Sequence, residues 1–325
     1  MRENGRHARG SESSHHPGDS YYNIPPIKRP HWTWEIFVYF WVGGIGAGAH
    51  AVTTIARLLG HGDAALLRAG RYITLGSMVL SPLLLISDLG RPERFYNMLR
   101  ILKLRSPMSL GSWSLFLFGS LSGLIATAQA AQDGLLGGGN PAARLARAVP
   151  AQILSALAMP FALFVGSYGG ILLAATAVPM WARNALLMGP TFLASSFSTG
   201  LSALSLALKL GRWGEKGTHA ALRRAERLAL VAELGLMAAS LAKMGKYGKP
   251  LYGKPLAPLF FGGTVLGGIL APLALLSGRE SRPRGILASV LVLLGGLAFR
   301  YVMVEGGKRS ADDPQATFSH TRKEG

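Results

Sequence analysis

The feature that most constrains this chain is a run of eight long apolar stretches, at about residues 34–58, 71–88, 109–131, 150–177, 187–209, 224–244, 256–277 and 285–305. Each is near the length that carries an α-helix across a hydrocarbon core of about 30 Å. Backbone groups in lipid must find partners within the spanning structure itself, which leaves helices or closed barrels. A barrel needs alternating segments of about ten residues, and these continuous runs do not alternate. The predicted fold is therefore all-α: a polytopic membrane protein of about eight transmembrane helices in two four-helix bundles.

Breakers and charges bound the stretches. The first follows Pro30-His31-Trp32, and the second ends in Asp88-Leu89-Gly90-Arg91-Pro92. The third starts after Pro107, and Gly137-Gly138-Gly139-Asn140-Pro141 precedes the fourth. The sixth carries Glu226, Glu233 and Lys243, so an amphipathic helix lying in the interface competes there with a spanning one. The expected organisation is a polar arm over 1–30, a transmembrane domain over 31–307 with halves 31–180 and 181–307, and a polar tail over 308–325. The arm has no apolar core of the kind a secretory signal needs. An even number of crossings places both termini on one face. Lys and Arg are more numerous there, which favours cytoplasmic termini.

The chain carries a formal charge of +18 but only 15% charged residues. Its basic residues flank apolar runs, so they read as membrane anchors rather than a nucleic-acid surface. There is no Cys, which excludes a cysteine-held iron–sulfur cluster within the chain. Among the His residues only His50 lies well inside a span, which argues against bis-histidine haem. No metal is expected either, nor is any phosphate loop, zinc spacing or nucleophile elbow present.

Polar groups inside spans are costly and mark candidate sites. They are Glu35, His50, Asp88, Tyr168, Glu233, Arg300 and Glu305. Asp88 followed by Arg91 reads either as a helix stop with an interfacial ion pair or as a carboxylate–guanidinium wall of a pocket. Glu35 lies at the same depth among Trp32, Trp34 and Tyr39, and Ser112 and Trp113 open the third helix there. Helices one to three are thus expected to bring Glu35, Asp88, Arg91, Ser112 and Trp113 to one level. His50 reads as an interior hydrogen-bonded residue or a ligand. Tyr168 reads as a phenol bonded to a backbone carbonyl or as a donor to a bound carbonyl compound. Glu233 and Arg300 are expected to form a buried pair, structural or on a proton path.

Ser87-Asp88-Leu89-Gly90-Arg91-Pro92-Glu93-Arg94-Phe95, Ser106-Pro107-Met108-Ser109 and Gly111-Ser112-Trp113 together resemble the NrfD-like family, the membrane subunits of polysulfide reductases. Trp34 to Gly48, Ser167-Tyr168-Gly169-Gly170 with Pro179-Met180-Trp181, and Arg300 to Gly307 extend the likeness over about residues 30–318. The resemblance implies eight helices and no resident redox metal. It implies electron exchange between membrane quinone, menaquinone or ubiquinone, and a ferredoxin-like subunit with four-iron–four-sulfur clusters. That subunit in turn serves a catalytic subunit, often a molybdenum one. The implied location is a bacterial or archaeal inner membrane. The implied pocket residues are His31, Trp34, Glu35, Asp88, Arg91 and Tyr168, joined by Ser112 and Trp113 from the residue-level convergence. Of these, Asp88, Tyr168 and Glu35 are the candidates for proton handling. A family tyrosine–threonine–glycine pattern reads Tyr168-Gly169-Gly170 here, without the threonine. A transporter and a purely structural anchor remain the alternative readings, and the loop Arg100–Arg105 is the candidate docking surface for the partner.

Overall fold

The computed structural model describes residues 27–137 and 140–313. The polar arm before residue 27 and the tail after residue 313 lie outside the described residues. Eight helices are long and apolar enough to cross a membrane: α1 Trp34–Leu58, α2 Ala64–Ser87, α3 Pro107–Gln132, α4 Ala151–Ala174, α5 Ala185–Gly211, α6 Lys216–Met244, α7 Pro258–Ser277 and α8 Arg282–Ala311. A 3₁₀ helix, Pro92–Leu99, connects α2 to α3. The first part of α7, Pro258–Leu270, winds as a π-helix.

Half of the spanning helices, α2, α3, α7 and α8, begin where a proline or a cap starts them. Pro107 and Pro283 occupy first-turn positions, where a missing N–H costs nothing. Asp63 caps α2 by accepting from Ala65 N–H at 3.0 Å, and Ser106 and Asn140 cap the helices that follow them. Five helices overrun the apolar stretches expected from hydropathy. The helix from Ala64 gains a turn or more before residue 71, and α6 begins at Lys216 rather than 224. Backbone hydrogen bonding carries a helix into the headgroup region, whereas hydropathy reads only the hydrocarbon part. The sixth segment is a spanning-length helix, not an interfacial one, because Glu226 and Glu233 face α5 and are buried.

The helices pack in two rings. In the first, α1 packs on α2, α2 on α3, α3 on α4 and α4 on α1; in the second, α5 contacts α6 and α8, and α7 lies against α8 and more lightly α6. The rings meet mainly where α5 packs on both α1 and α4. At that seam a β-carbon on Gly48 would overlap the Ser196 carbonyl oxygen, and one on Gly200 would stand 2.7 Å from Gly48 Cα. Only glycine permits such backbone contact. Both ends of the described chain reach one face, where Arg29 pairs with Glu305 at 3.4 Å and with Asp312 at 3.6 Å.

Candidate functional site

The end of the first ring on the terminal face collects polar side chains from α1 to α4. Thr33 is the N-cap position of α1 but leaves its own helix uncapped. Its hydroxyl donates a short hydrogen bond to Asp88 Oδ1 instead. This ties the start of α1 to the end of α2. The expected Asp88–Arg91 pair is not formed: Arg91 is exposed and has no ion-pair partner among the described residues. Pro92 opens a 3₁₀ turn immediately after it, and Arg91 is the residue preceding that turn, in extended backbone rather than helix.

Tyr168 is buried in the last third of α4, toward the terminal face, at 6% exposure. Its phenol end lies against the backbone of α3: a β-carbon on Gly111 would overlap the Tyr168 hydroxyl. The expected bond from that hydroxyl to a neighbouring carbonyl is absent among the described residues. Phe164 packs on the ring at 5.8 Å between centroids. One turn away, Val165 approaches Gly43, as do Tyr39 and Ser81; a β-carbon on Gly43 would lie 3.4 Å from Ser81 Oγ and 3.8 Å from Tyr39.

Three polar atoms in this region are buried with no protein partner: Glu35 Oε2, Ser81 Oγ and Trp113 Nε1. A buried polar atom without a partner costs roughly 1–3 kcal/mol, so its persistence in a folded core points to something else that satisfies it. Between α2, the 3₁₀ helix and α3 lies an apolar cavity of about 140 Å³ lined by Pro82, Leu85, Phe95, Met98, Ser112 and Phe116 among others; Ser81 and Trp113 adjoin its lining in sequence but do not themselves line it.

The predicted residues thus separate into groups. Glu35, Asp88, Trp113 and Tyr168 are buried or half-buried at this end of the ring, and Ser112 lines the cavity while donating to Met108 O at 3.0 Å. His31, Trp34 and Arg91 are exposed and are not drawn into it, Trp34 being 59% exposed. Trp32, just ahead of α1, instead turns inward and stacks on Trp181 at 5.1 Å between ring centroids. Trp181 is fully buried and donates to Met303 O at 2.9 Å. Sequence reasoning missed Thr33, Tyr39 and Ser81 as members of the group. The signal for Ser81 was its place before Pro82 inside a span, where a helix gives up one hydrogen bond.

Other singled-out residues have structural partners. His50 hydrogen-bonds Ser155 O at 3.0 Å and meets Phe118 edge to face. Glu305 serves Arg29, Lys308 and Arg309. Glu233 and Arg300 do not touch as an ion pair. Ser198 donates to Glu233 Oε2 at 2.5 Å, and Arg300 Nη1 donates to Ser195 Oγ at 2.9 Å, so serine hydroxyls stand between the two charges. No group of three potential metal ligands lies together among the described residues.

At the opposite face two carboxylates are held low. Burial pushes Asp63 upward, but hydrogen bonds from Ala65 N–H, Glu215 N–H and the Thr218 hydroxyl outweigh it and leave the carboxyl below its ordinary value. Asp133 is likewise lowered on balance, against burial, by Tyr72, Gln129 and Arg68, the last at 2.9 Å.

A family model described as Polysulphide reductase, NrfD, matches residues 25–310. The C subunit of the polysulfide reductase of Wolinella succinogenes is 27% identical to this protein over 306 residues, covering 85% of this sequence and 94% of that one.

Proposed function

Because the chain belongs to the NrfD family of multi-pass membrane proteins, subunits of redox complexes, we propose that it carries electrons between membrane quinone and an iron–sulfur partner. The observation that supports this most is the presence of buried polar atoms without a protein partner in the helix ends of the first ring, Glu35 Oε2, Ser81 Oγ and Trp113 Nε1, two of them on residues whose chain neighbours Pro82 and Ser112 line an apolar cavity. A quinone headgroup presents two carbonyl oxygens and wants donors, and its isoprenoid tail wants an apolar wall. The residues fit both demands.

When bound, a quinone supplies a two-electron, two-proton couple, and the electrons come from a partner's four-iron–four-sulfur cluster on the terminal face. The side chains do the rest. Tyr168 and Trp113 would donate hydrogen bonds to the quinone carbonyl oxygens and so hold it. Gly111 lets the phenol reach that position, and Phe164 holds its ring plane. Glu35 and Asp88 are the acids that exchange protons with the terminal-face water, Asp88 through the Thr33 hydroxyl that holds its Oδ1. General acid–base groups of this kind contribute typically 10²–10⁴-fold. Leu85, Phe95, Met98 and Phe116 exclude water from the cavity side.

The partner's docking surface is the segment after the 3₁₀ helix. Arg100, Lys103 and Arg105 are exposed there between Ile101, Leu102 and Leu104, all at least half exposed. Ser109 fixes the segment, accepting from Lys103 N–H at 3.0 Å and donating to Ile101 O at 3.2 Å. Apolar side chains ringed by fixed positive charge suit an acidic, partly apolar protein surface. The catalytic subunit beyond that partner is a molybdenum one, and the complex lies in a bacterial or archaeal inner membrane with the termini of this chain in the cytoplasm.

Photo-crosslinking tests the reading. A photoreactive quinone analogue incubated with the purified chain should label peptides from residues 107–118 and 161–170, and native quinone should compete. Labelling confined to other helices, or labelling that quinone does not diminish, would overturn it. Reversal of Arg100, Lys103 and Arg105 to Glu should release the iron–sulfur subunit on purification; retention at wild-type stoichiometry would remove the docking assignment.

A further inference from the structure

The first ring encloses a second, smaller pocket at its other end, on the face opposite the termini. The last two turns of α1 supply Thr54 and Arg57 to it, the start of α2 supplies Arg71, α3 supplies Ser122, and the first turn of α4 supplies Gln152. Hydrogen bonds between helices set its walls. Thr74 of α2 donates to Gly46 O of α1 at 3.2 Å, and His50 of α1 donates to Ser155 O of α4 at 3.0 Å. Gly62 lets the loop after α1 fold over the Arg57 stem, since a β-carbon there would stand 3.0 Å from Arg57 Cδ.

Donors and positive charge line this pocket, and among the described residues no carboxylate does. Arg57 is in no ion pair among the described residues. Arg71 feels Arg57 as a like charge. The carboxylate that attracts Arg71, Asp133, lies outside the lining and is already held by Arg68, Tyr72 and Gln129. Gln152 stands in the first turn of α4, whose end has no side-chain cap and adds partial positive charge. Of the hydroxyls in the lining, Thr53 donates to Ala49 O at 2.8 Å and Ser155 to Ala151 O at 2.7 Å, the usual bonds to a carbonyl one turn back. Thr54 Oγ1 and Ser122 Oγ make no such bond and are buried without a protein partner. Two idle hydroxyls in one lining mark a place where something else satisfies them. Water would satisfy the hydroxyls but would not offset the two guanidinium charges.

We propose that this pocket is an oxyanion site that takes a phosphate group. Arg57 and Arg71 supply the charge, because a guanidinium presents paired N–H groups that match phosphate oxygens. Thr54 and Ser122 complete the donor set from the buried side. Arg57 and Gln152 are exposed and form the mouth. Leu58 and Ile153 beside them are exposed as well, so the mouth opens where apolar surface gives way to headgroups, the level at which basic pockets between helices take anionic lipids. The phosphate reaches it either as the headgroup of an anionic phospholipid in that leaflet or as a free ion from the water, and the same side chains hold it in both cases. The site shares no residue with the quinone pocket and stands or falls without it.

Two measurements on the full chain in detergent test the proposal and separate the sources. Native mass spectrometry compares retention of phosphatidylglycerol with that of phosphatidylcholine. The thermal midpoint compares inorganic phosphate with chloride at equal ionic strength. Wild type should retain phosphatidylglycerol about tenfold better, the ratio carried by one charge-assisted hydrogen bond, or gain midpoint in phosphate. The first result assigns the site to a lipid and the second to a free ion. Arg57→Gln, at the exposed mouth, should abolish whichever effect is seen, and Ser122→Ala, which keeps both charges, should weaken it. Arg144→Gln, which removes an exposed charge outside the pocket on the same face, should leave it unchanged. No effect of either anion on wild type would overturn the proposal. So would an effect that survives in folded Arg57→Gln and Ser122→Ala, or one that Arg144→Gln removes equally.

Discussion

Tyr168 and Gly111 are one feature divided between two helices. The phenol reaches its position only because residue 111 has no side chain. Gly111→Ala should therefore push the Tyr168 ring away and lower quinone-linked turnover while the chain still folds; turnover in the purified complex checks this. Tyr168 and Asp88 were legible in the sequence as candidates, because a phenol and a carboxylate within or at the end of spans stand out against an apolar background. Their partners were not. Thr33 is an ordinary helix-start residue until α1 and α2 are placed side by side, and Arg91 looked like the natural mate of Asp88. Sequence proximity favoured that pair, but the 3₁₀ turn at Pro92 and the open water around Arg91 removed it.

At the scale of elements, capping and seam contacts decide more than hydropathy does. Asp63 caps α2 and also binds the start of α6 through Glu215 N–H and Thr218. Its loss in Asp63→Ala should cost about 1 kcal/mol, read as a lower thermal midpoint in detergent. The folded carboxyl is held below its ordinary value, so its contribution is fully present above the unfolded value of about 3.9 and fades as the pH falls through the folded one. The midpoints of wild type and Asp63→Ala should consequently converge below about pH 4, and a difference that persisted in acid would contradict the hydrogen-bonding scheme. Eight long apolar stretches were enough to specify eight helices. Their polar ends were not legible by hydropathy, because Lys216 to Arg223 in α6 and Ala64 to Ala69 in α2 continue the helix into water. The buried serines of α5, Ser195, Ser198, Ser202 and Ser205, recur at helical spacing and so were readable in the sequence, but which helix they face was not.

The whole molecule is two rings fastened where α5 packs on α1 and α4. Gly48 and Gly200 set the backbone distance there, and Arg300 of α8 crosses the seam to donate to Phe40 O at 3.0 Å. Gly200→Leu would force the helices apart and should cost about 1–3 kcal/mol or more, again as a lower midpoint. Arg300→Met removes a fully buried cation that also serves Ser195, Ser196 and Gly296. It leaves buried acceptors such as Phe40 O without their donor and should destabilise by about 1–3 kcal/mol, and a midpoint equal to wild type would show that the seam does not depend on it. The proposed function puts quinone chemistry at the terminal face of the first ring. Its most direct test is quinol-linked electron transfer in the purified complex, comparing wild type with Tyr168→Phe and Asp88→Asn. Each variant should keep the iron–sulfur partner bound and lose quinone-linked turnover by about 10²-fold or more. Unchanged turnover in both, in a complex of full composition, would contradict the placement of the pocket between α1 and α4.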